Sequence, residues 1–130
     1  MPQFRYTILY VQDVVRTITF YETAFGFNRR FIAPGDQYGE LDTGSTILSF
    51  ARHDLAKSNL KNGYQESEPG NRPFGMEIGI TTDDVPGTMQ QAISAGATLL
   101  EEPITKPWGQ VVGYVTDPDG FLIEVCSPME

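Results

Sequence analysis

The stretches "LYVQDVVRTITFYETAFG" (Leu9–Gly26) and "ITTDDVPGTMQQAISAG" (Ile80–Gly96) decide the fold, because the second repeats the first at a constant offset of 71 residues. Asp13/Asp84, Val14/Val85, Thr17/Thr88 and Ala24/Ala95 are identical pairs at that offset, and Ile18/Met89 and Tyr21/Ala92 keep the apolar positions. Each stretch reads as the end of a strand, an Asp that caps a helix, a helix with one apolar stripe, and a closing Gly. The inward stripe is Val14, Ile18, Tyr21 and Phe25 in the first helix, and Val85, Met89 and Ala92 in the second.

Working outward, Phe4–Val11 alternates as a strand, with Thr7, Leu9 and Val11 on one face and Tyr6, Ile8 and Tyr10 on the other. Three further strands are expected around Asn28–Ile32, Tyr38–Thr43 and Thr46–Arg52, separated by "APGD" and "TG". The second half repeats the order: a strand at Gly75–Thr82, the helix, then strands around Thr98–Glu101, Gln110–Thr116 and Phe121–Ser127. The spacing therefore predicts an α+β fold of two βαβββ modules, 4–58 and 73–128, in one domain spanning residues 1–130. The polar segment Asn59–Arg72 reads as a linker, with a lid over a pocket as the alternative. Helices covering the Thr7/Leu9/Val11 face of each sheet leave the other faces to curve around a shared cavity. That face carries Tyr6, Glu77 and Glu124.

The totals narrow the function. A net charge of −8 over 130 residues disfavours a nucleic-acid backbone as partner, which needs clustered Lys and Arg. One cysteine excludes an intrachain disulfide and suits a reducing cytoplasm. "MPQFRYTILYVQD" lacks the pattern of a signal peptide, and no apolar run reaches the roughly 20 residues that span a bilayer. The expectation is a soluble cytoplasmic protein.

In "VTDPDGFLIEVCSP" (Val115–Pro128), a turn feeds a strand whose Phe121, Ile123 and Val125 share one face, while Glu124 lies between Leu122 and Cys126 on the other. A carboxylate there is a metal ligand, a general base, a ligand-binding charge, or an edge carboxylate paired with Arg5 or Arg52. Glu77 reaches the same face through the repeat. Two converging carboxylates repel, which raises at least one pKa unless a cation intervenes. Such a pair suits a cationic ligand or a base beside a carbonyl. Cys126 reads as a small buried hydrophobe, and a single histidine, His53, precludes a Ser-His-Asp or Cys-His arrangement.

"LYVQDVVRTITFYETAFGF" and "YVTDPDGFLIEVCSP" resemble the opening strand–helix and the closing hairpin of the vicinal oxygen chelate superfamily, which includes glyoxalase I, extradiol dioxygenases and the fosfomycin- and bleomycin-resistance proteins. The resemblance runs from about Phe4 to Pro128 and implies the glyoxalase/bleomycin-resistance fold. In metal-dependent members it places ligands, usually His or Glu, at positions that here are Tyr6, Ser49, Glu77 and Glu124. Two are acidic and neither first-strand position is His. A divalent catalyst normally takes at least three protein ligands, so no cofactor is expected, with a divalent metal on Glu77 and Glu124 as the fallback.

Trp108 stands in "KPWGQ", which resembles a stretch of the antibiotic-binding members, where an aromatic at the cavity mouth stacks on a flat compound. Its alternative reading is the cap of a hydrophobic core. The groove is expected to be lined by Tyr6, Ile8, Ser49, Glu77, Trp108, Leu122 and Glu124. The resemblance implies a homodimer that binds a small, aromatic or cationic molecule without metal. The rival is a glyoxalase-like lyase or isomerase with Glu124 as base or metal ligand and Glu77 as its partner, and a third reading is a non-catalytic module with a vestigial pocket.

Overall fold

A computed structural model describes residues 1–129. The chain divides into two compact units, Met1–Glu22 with Gly26–Glu66, and Thr23–Phe25 with Ser67–Glu130. Each is built on its own four-stranded mixed sheet.

In the first module the order is β1 (Thr7–Val11), α1 (Val14–Phe25), β2 (Asn28–Ile32), β3 (Tyr38–Asp42), β4 (Ile47–Arg52) and α2 (His53–Asn59), with strands arranged β1-β4-β3-β2. In the second it is β5 (Ile78–Thr81), α3 (Val85–Ala95), β6 (Thr98–Thr105), β7 (Val111–Thr116) and β8 (Leu122–Cys126), arranged β5-β8-β7-β6. The first strand of each module pairs parallel with the last, Ile8 opposite Ser49 and Gly79 opposite Glu124, while the remaining pairs are antiparallel. Both sheets are open, so the duplication is expressed as two α+β layers of identical topology.

The Asp caps form as expected. Asp13 accepts from the Arg16 amide and Asp84 from the Gly87 amide, both at 3.0 Å, satisfying donors the first helical turn leaves unpaired. Gly26, at φ 73°, ends α1 in the left-handed region. The helices then lie close on their sheets. A Cβ on Gly39 of β3 would come within 2.5 Å of Ile18 Cδ1, and one on Gly113 of β7 would collide with Met89 Sδ. Ile18 and Met89 are an offset-71 pair, so the duplication extends to a helix side chain seated on a glycine of the third strand. Leu9, Val11, Leu41, Phe50, Val14, Ile18 and Tyr21 form one core, and Ile123, Val125, Val115, Val85, Met89 and Ala92 the other.

Two expectations need correction. "HDLAKSN" forms a seven-residue helix, α2, where the sequence reading placed no helix. No side chain caps it, which hid its start, but Asp54 in its first turn and Lys57 in its last suit the helix dipole and Ala56 is buried. Strand β6 runs to Thr105 instead of stopping near Glu101. Its Pro103 is accommodated because β6 is a sheet edge with two register shifts. Within segment 59–72, the Tyr64 ring lies 4.7 Å from that of Tyr10, Lys57 pairs with Glu66 at 2.5 Å, and Ser67 donates to the Asp119 carbonyl at 2.8 Å. No helix among the described residues is long and apolar enough to cross a membrane.

Candidate functional site

The closing hairpin positions the site. Asp117 is buried, and one of its carboxylate oxygens accepts from the amides of Asp119 and Phe121, each at 2.9 Å. Gly120 completes the turn at φ 92°, its amide bonded to the Asp117 carbonyl. The register this sets places Tyr114 directly opposite Glu124, with Thr116 opposite Leu122 and Val112 opposite Cys126. All six belong to the face of the sheet that α3 leaves uncovered, since Val115, Ile123 and Val125 fill the helix side.

On that face the Tyr114 hydroxyl donates to Glu124 Oε1 at 2.9 Å. The Glu77 carboxyl comes within hydrogen-bonding reach of Glu124 from just before β5. The pair splits in its titration. Glu77 is pushed above the usual carboxylate range by burial and by its neighbour's hydrogen bond and charge. Glu124 is held below it: burial opposes ionisation, but hydrogen bonds from Glu77 and Tyr114 and the charge of Lys106 outweigh it. The two carboxyls therefore titrate as one coupled pair, with Glu77 pushed up and Glu124 pushed down. Tyr114 is pushed to about 12, first by its bond to Glu124 and then by burial. Cys126 rises to about 11 through burial and then Glu124.

Glu124 is thus no edge carboxylate. Strand β8 lies between β5 and β7, and the Arg52 guanidinium is engaged by Asp54 at 2.8 Å. Trp108 does not cap a core either. It is 61 % exposed on the β6–β7 turn, where its indole N–H donates to Gln110 at 2.9 Å. Gln110 in turn donates to the Ser127 carbonyl at 2.9 Å, tying the turn to the end of β8.

The other expected residues lie in the first unit. Tyr6 is exposed just before β1, which starts at Thr7 and not at Phe4 as expected, and Ile8 is exposed within β1, opposite Ser49 of β4. Ser49 is fully buried beside Tyr38 and Glu40. Opposite Ser49 stands Glu40, a buried carboxylate that accepts from the Tyr38 hydroxyl at 2.7 Å and from Arg30 at 3.2 Å. Tyr38 is pushed to about 12 by burial and then by Glu40. Glu40/Ser49 and Tyr114/Glu124 occupy the same cross-strand positions of the two modules with acid and hydroxyl exchanged. Sequence reasoning missed Tyr114 and Glu40. Tyr114 was within reach, because Tyr114 and Glu124 stand five residues either side of Asp119, the centre of the Asp-Pro-Asp-Gly turn.

His53 opens α2, where one ring nitrogen lies 2.6 Å from the Tyr64 hydroxyl and the other 3.7 Å from Glu66. Among the described residues no three His, Cys, Asp or Glu side chains group so as to hold a metal ion. Glu77 and Glu124 supply two carboxylates, one of them already engaged by Tyr114. That donor set does not fit a catalytic divalent metal.

Comparison with known proteins agrees with this architecture. The family model described as Glyoxalase/Bleomycin resistance protein/Dioxygenase superfamily matches residues 3–125. A putative lactoylglutathione lyase of Brassica oleracea var. gemmifera is 28% identical over 130 residues, covering 96% of this chain and 44% of its own length. A virulence protein of Salmonella typhimurium is 28% identical over 134 residues, covering 92% of this chain and 80% of the other. The chain thus spans less than half of the lyase it matches. Among solved structures, a glyoxalase-related enzyme from Fulvimarina pelagi superposes with TM-score 0.82 at 22% identity, covering 98% of this chain and 89% of that one. A glyoxalase/bleomycin resistance protein/dioxygenase family enzyme from Burkholderia phytofirmans gives TM-score 0.79 at 24% identity, covering 95% and 97%. At those identities the likeness shows the fold alone.

Proposed function

The chain belongs to the Glyoxalase/Bleomycin resistance protein/Dioxygenase superfamily, and from that premise we propose that it is a metal-independent small-molecule-binding protein of the bleomycin-resistance type, sequestering a flat or cationic compound. The observation that carries this reading is the state of Glu124. A general base works best with a pKa near the operating pH. Glu124 is instead held low, with hydrogen-bond donors already on it. That suits a standing negative charge that recognises a cation, assisted by Glu77 once it ionises. Trp108, rigid on its turn, supports the reading as a stacking platform whose ordering cost is already met by the fold.

Titration calorimetry of the purified protein with a flat cationic dye and with its neutral isostere tests this. Preference for the cation, lost in Glu124→Gln, is expected. Equal affinity for both compounds would refute it.

The second reading, a glyoxalase-like lyase or isomerase, is favoured by a different observation. Glu77 has the raised carboxyl, so the proton-transfer role on this face falls to Glu77 with Glu124 as its fixed partner. The relatives described as lactoylglutathione lyase make formation of lactoylglutathione the assay. Turnover that vanishes in Glu77→Gln would establish this reading in place of the first. Assembly as a cytoplasmic homodimer is part of the proposal, and sedimentation equilibrium checks the stoichiometry.

A further inference from the structure

Strand β6 bounds a groove of about 530 Å³ on the second unit that the binding reading leaves unused. Its apolar lining is Leu99, Leu100, Ile104 and Val112. The first three are 40, 44 and 55 % exposed, high for leucine and isoleucine with a neighbouring strand beside them. A regular strand would send alternate residues to opposite faces. Here register shifts between Leu99 and Glu101 and again between Glu101 and Ile104 break the alternation, so consecutive residues from Leu99 to Glu102 line the same groove.

Tyr114 also lines the groove, and its hydroxyl is the one that donates to Glu124. Glu101 is its partner on β6, Glu124 on β8, and Gly79 stands beyond Glu124 on β5. One row of the uncovered face therefore runs Glu101, Tyr114, Glu124, Gly79. The row ends in open space, because a Cβ on Gly79 would meet no atom within 4 Å. From β6 to β8 is two strand spacings, about 10 Å.

We propose that this groove holds the apolar body of an amphipathic amine whose ammonium head lies over Tyr114 and meets Glu124, an inference that rests on Glu124 being a binding charge. Charge decides the head: Glu101, Glu102 and Glu124 face it with Lys106 as the counter-charge, and Glu77 adds a carboxylate as it ionises. Shape decides the body: a two-strand span fits a fused bicyclic or a chain of about six to eight carbons. A second strand is the poorer occupant of this edge, since Pro103 offers no amide hydrogen and the shifts bend β6 away from flat pairing.

Naphthylmethylamine, naphthylmethanol and naphthylacetate, alike in ring and differing in head, form the probe set for calorimetry on the full chain. The amine is expected to bind about tenfold or more tightly than the alcohol, and the acetate weakest. Ile104→Ser should weaken all three in parallel, through the body. Gly79→Val, which fills space without a clash, should weaken the amine alone, and circular dichroism confirms that each variant is folded. If Glu124→Gln removes the preference for the amine while Ile104→Ser leaves every affinity unchanged, the charge reading stands and the groove assignment is overturned. If the three probes bind alike, both fall. Dimerisation abolished by Leu100→Asp, with no probe bound, would instead assign the groove to a second copy of the chain and overturn the proposal.

Discussion

Glu124 shows how one residue's role is set by its neighbours. Its carboxylate keeps its charge to lower pH than usual because hydrogen bonds from Glu77 and Tyr114 solvate it in place of water. Its stabilising contribution is present above the ordinary carboxylate pKa and is lost as pH falls through the lowered value. Glu77 behaves oppositely: its contribution is present at acid pH and is lost as pH rises through its raised value. Binding of a permanently cationic dye should therefore strengthen from acid toward neutral pH, in two steps, and Glu77→Gln should leave one; calorimetry across that range reads both. Tyr114 and Tyr38, each pushed to about 12, hold their protons past the ordinary phenol range. Ultraviolet titration should show late-ionising phenols, and Tyr114→Phe should remove one of them. Cys126, at about 11 and 5 % exposed, remains a thiol at neutral pH and should resist alkylation until the protein is unfolded.

At the scale of elements, the contacts that fasten helix to sheet and strand to strand are the sensitive ones. Gly39→Val should destabilise the protein by about 1–3 kcal/mol, because the new side chain crowds Ile18 and Val14, both fully buried, and the Phe31 carbonyl at once. Gly79→Val, on the uncovered face of the equivalent sheet, should leave stability nearly unchanged, and denaturant midpoints compare the two directly. Asp117→Ala should cost about 1–3 kcal/mol by leaving the buried amides of Asp119 and Phe121 without their acceptor. It should also weaken ligand binding, because the same turn sets the register that puts Tyr114 opposite Glu124.

For the whole molecule, the net charge of −8 and the carboxylates of the uncovered face act in the same direction. Association of a cationic ligand should slow as ionic strength rises, while association of its neutral isostere should not, as stopped-flow mixing would show. The donor set leads to a complementary expectation. Protein purified without an affinity tag or chelator and dialysed against Zn2+, Ni2+, Mn2+ or Fe2+ should retain well under one metal per chain by elemental analysis. A full equivalent held tightly would move the assignment to the lyase.

The sequence by itself determined the duplication, the two capped helices, the order of elements along the chain and the face on which Glu77 and Glu124 stand. These follow from local rules: apolar period, Asp before a helix, Gly after it, and a repeat at constant offset. Which residues occupy the four positions where the family resemblance places metal ligands, Tyr6, Ser49, Glu77 and Glu124, was likewise readable from the sequence. Helix α2 escaped because no side chain caps it, and the second half of β6 escaped because Pro103 is tolerated only at an edge, which pairing alone defines. Tertiary structure decided the chemistry of the site. The opposite shifts of Glu77 and Glu124 arise because the two carboxyls meet across strands, with Tyr114 donating from β7, and the exchange of acid and hydroxyl between Glu40/Ser49 and Tyr114/Glu124 appears only in cross-strand register. The groove under β6 likewise arises from two register shifts that no period in the sequence encodes. Periodicity assigns a residue to a face; the distance between two side chains on that face is set by pairing.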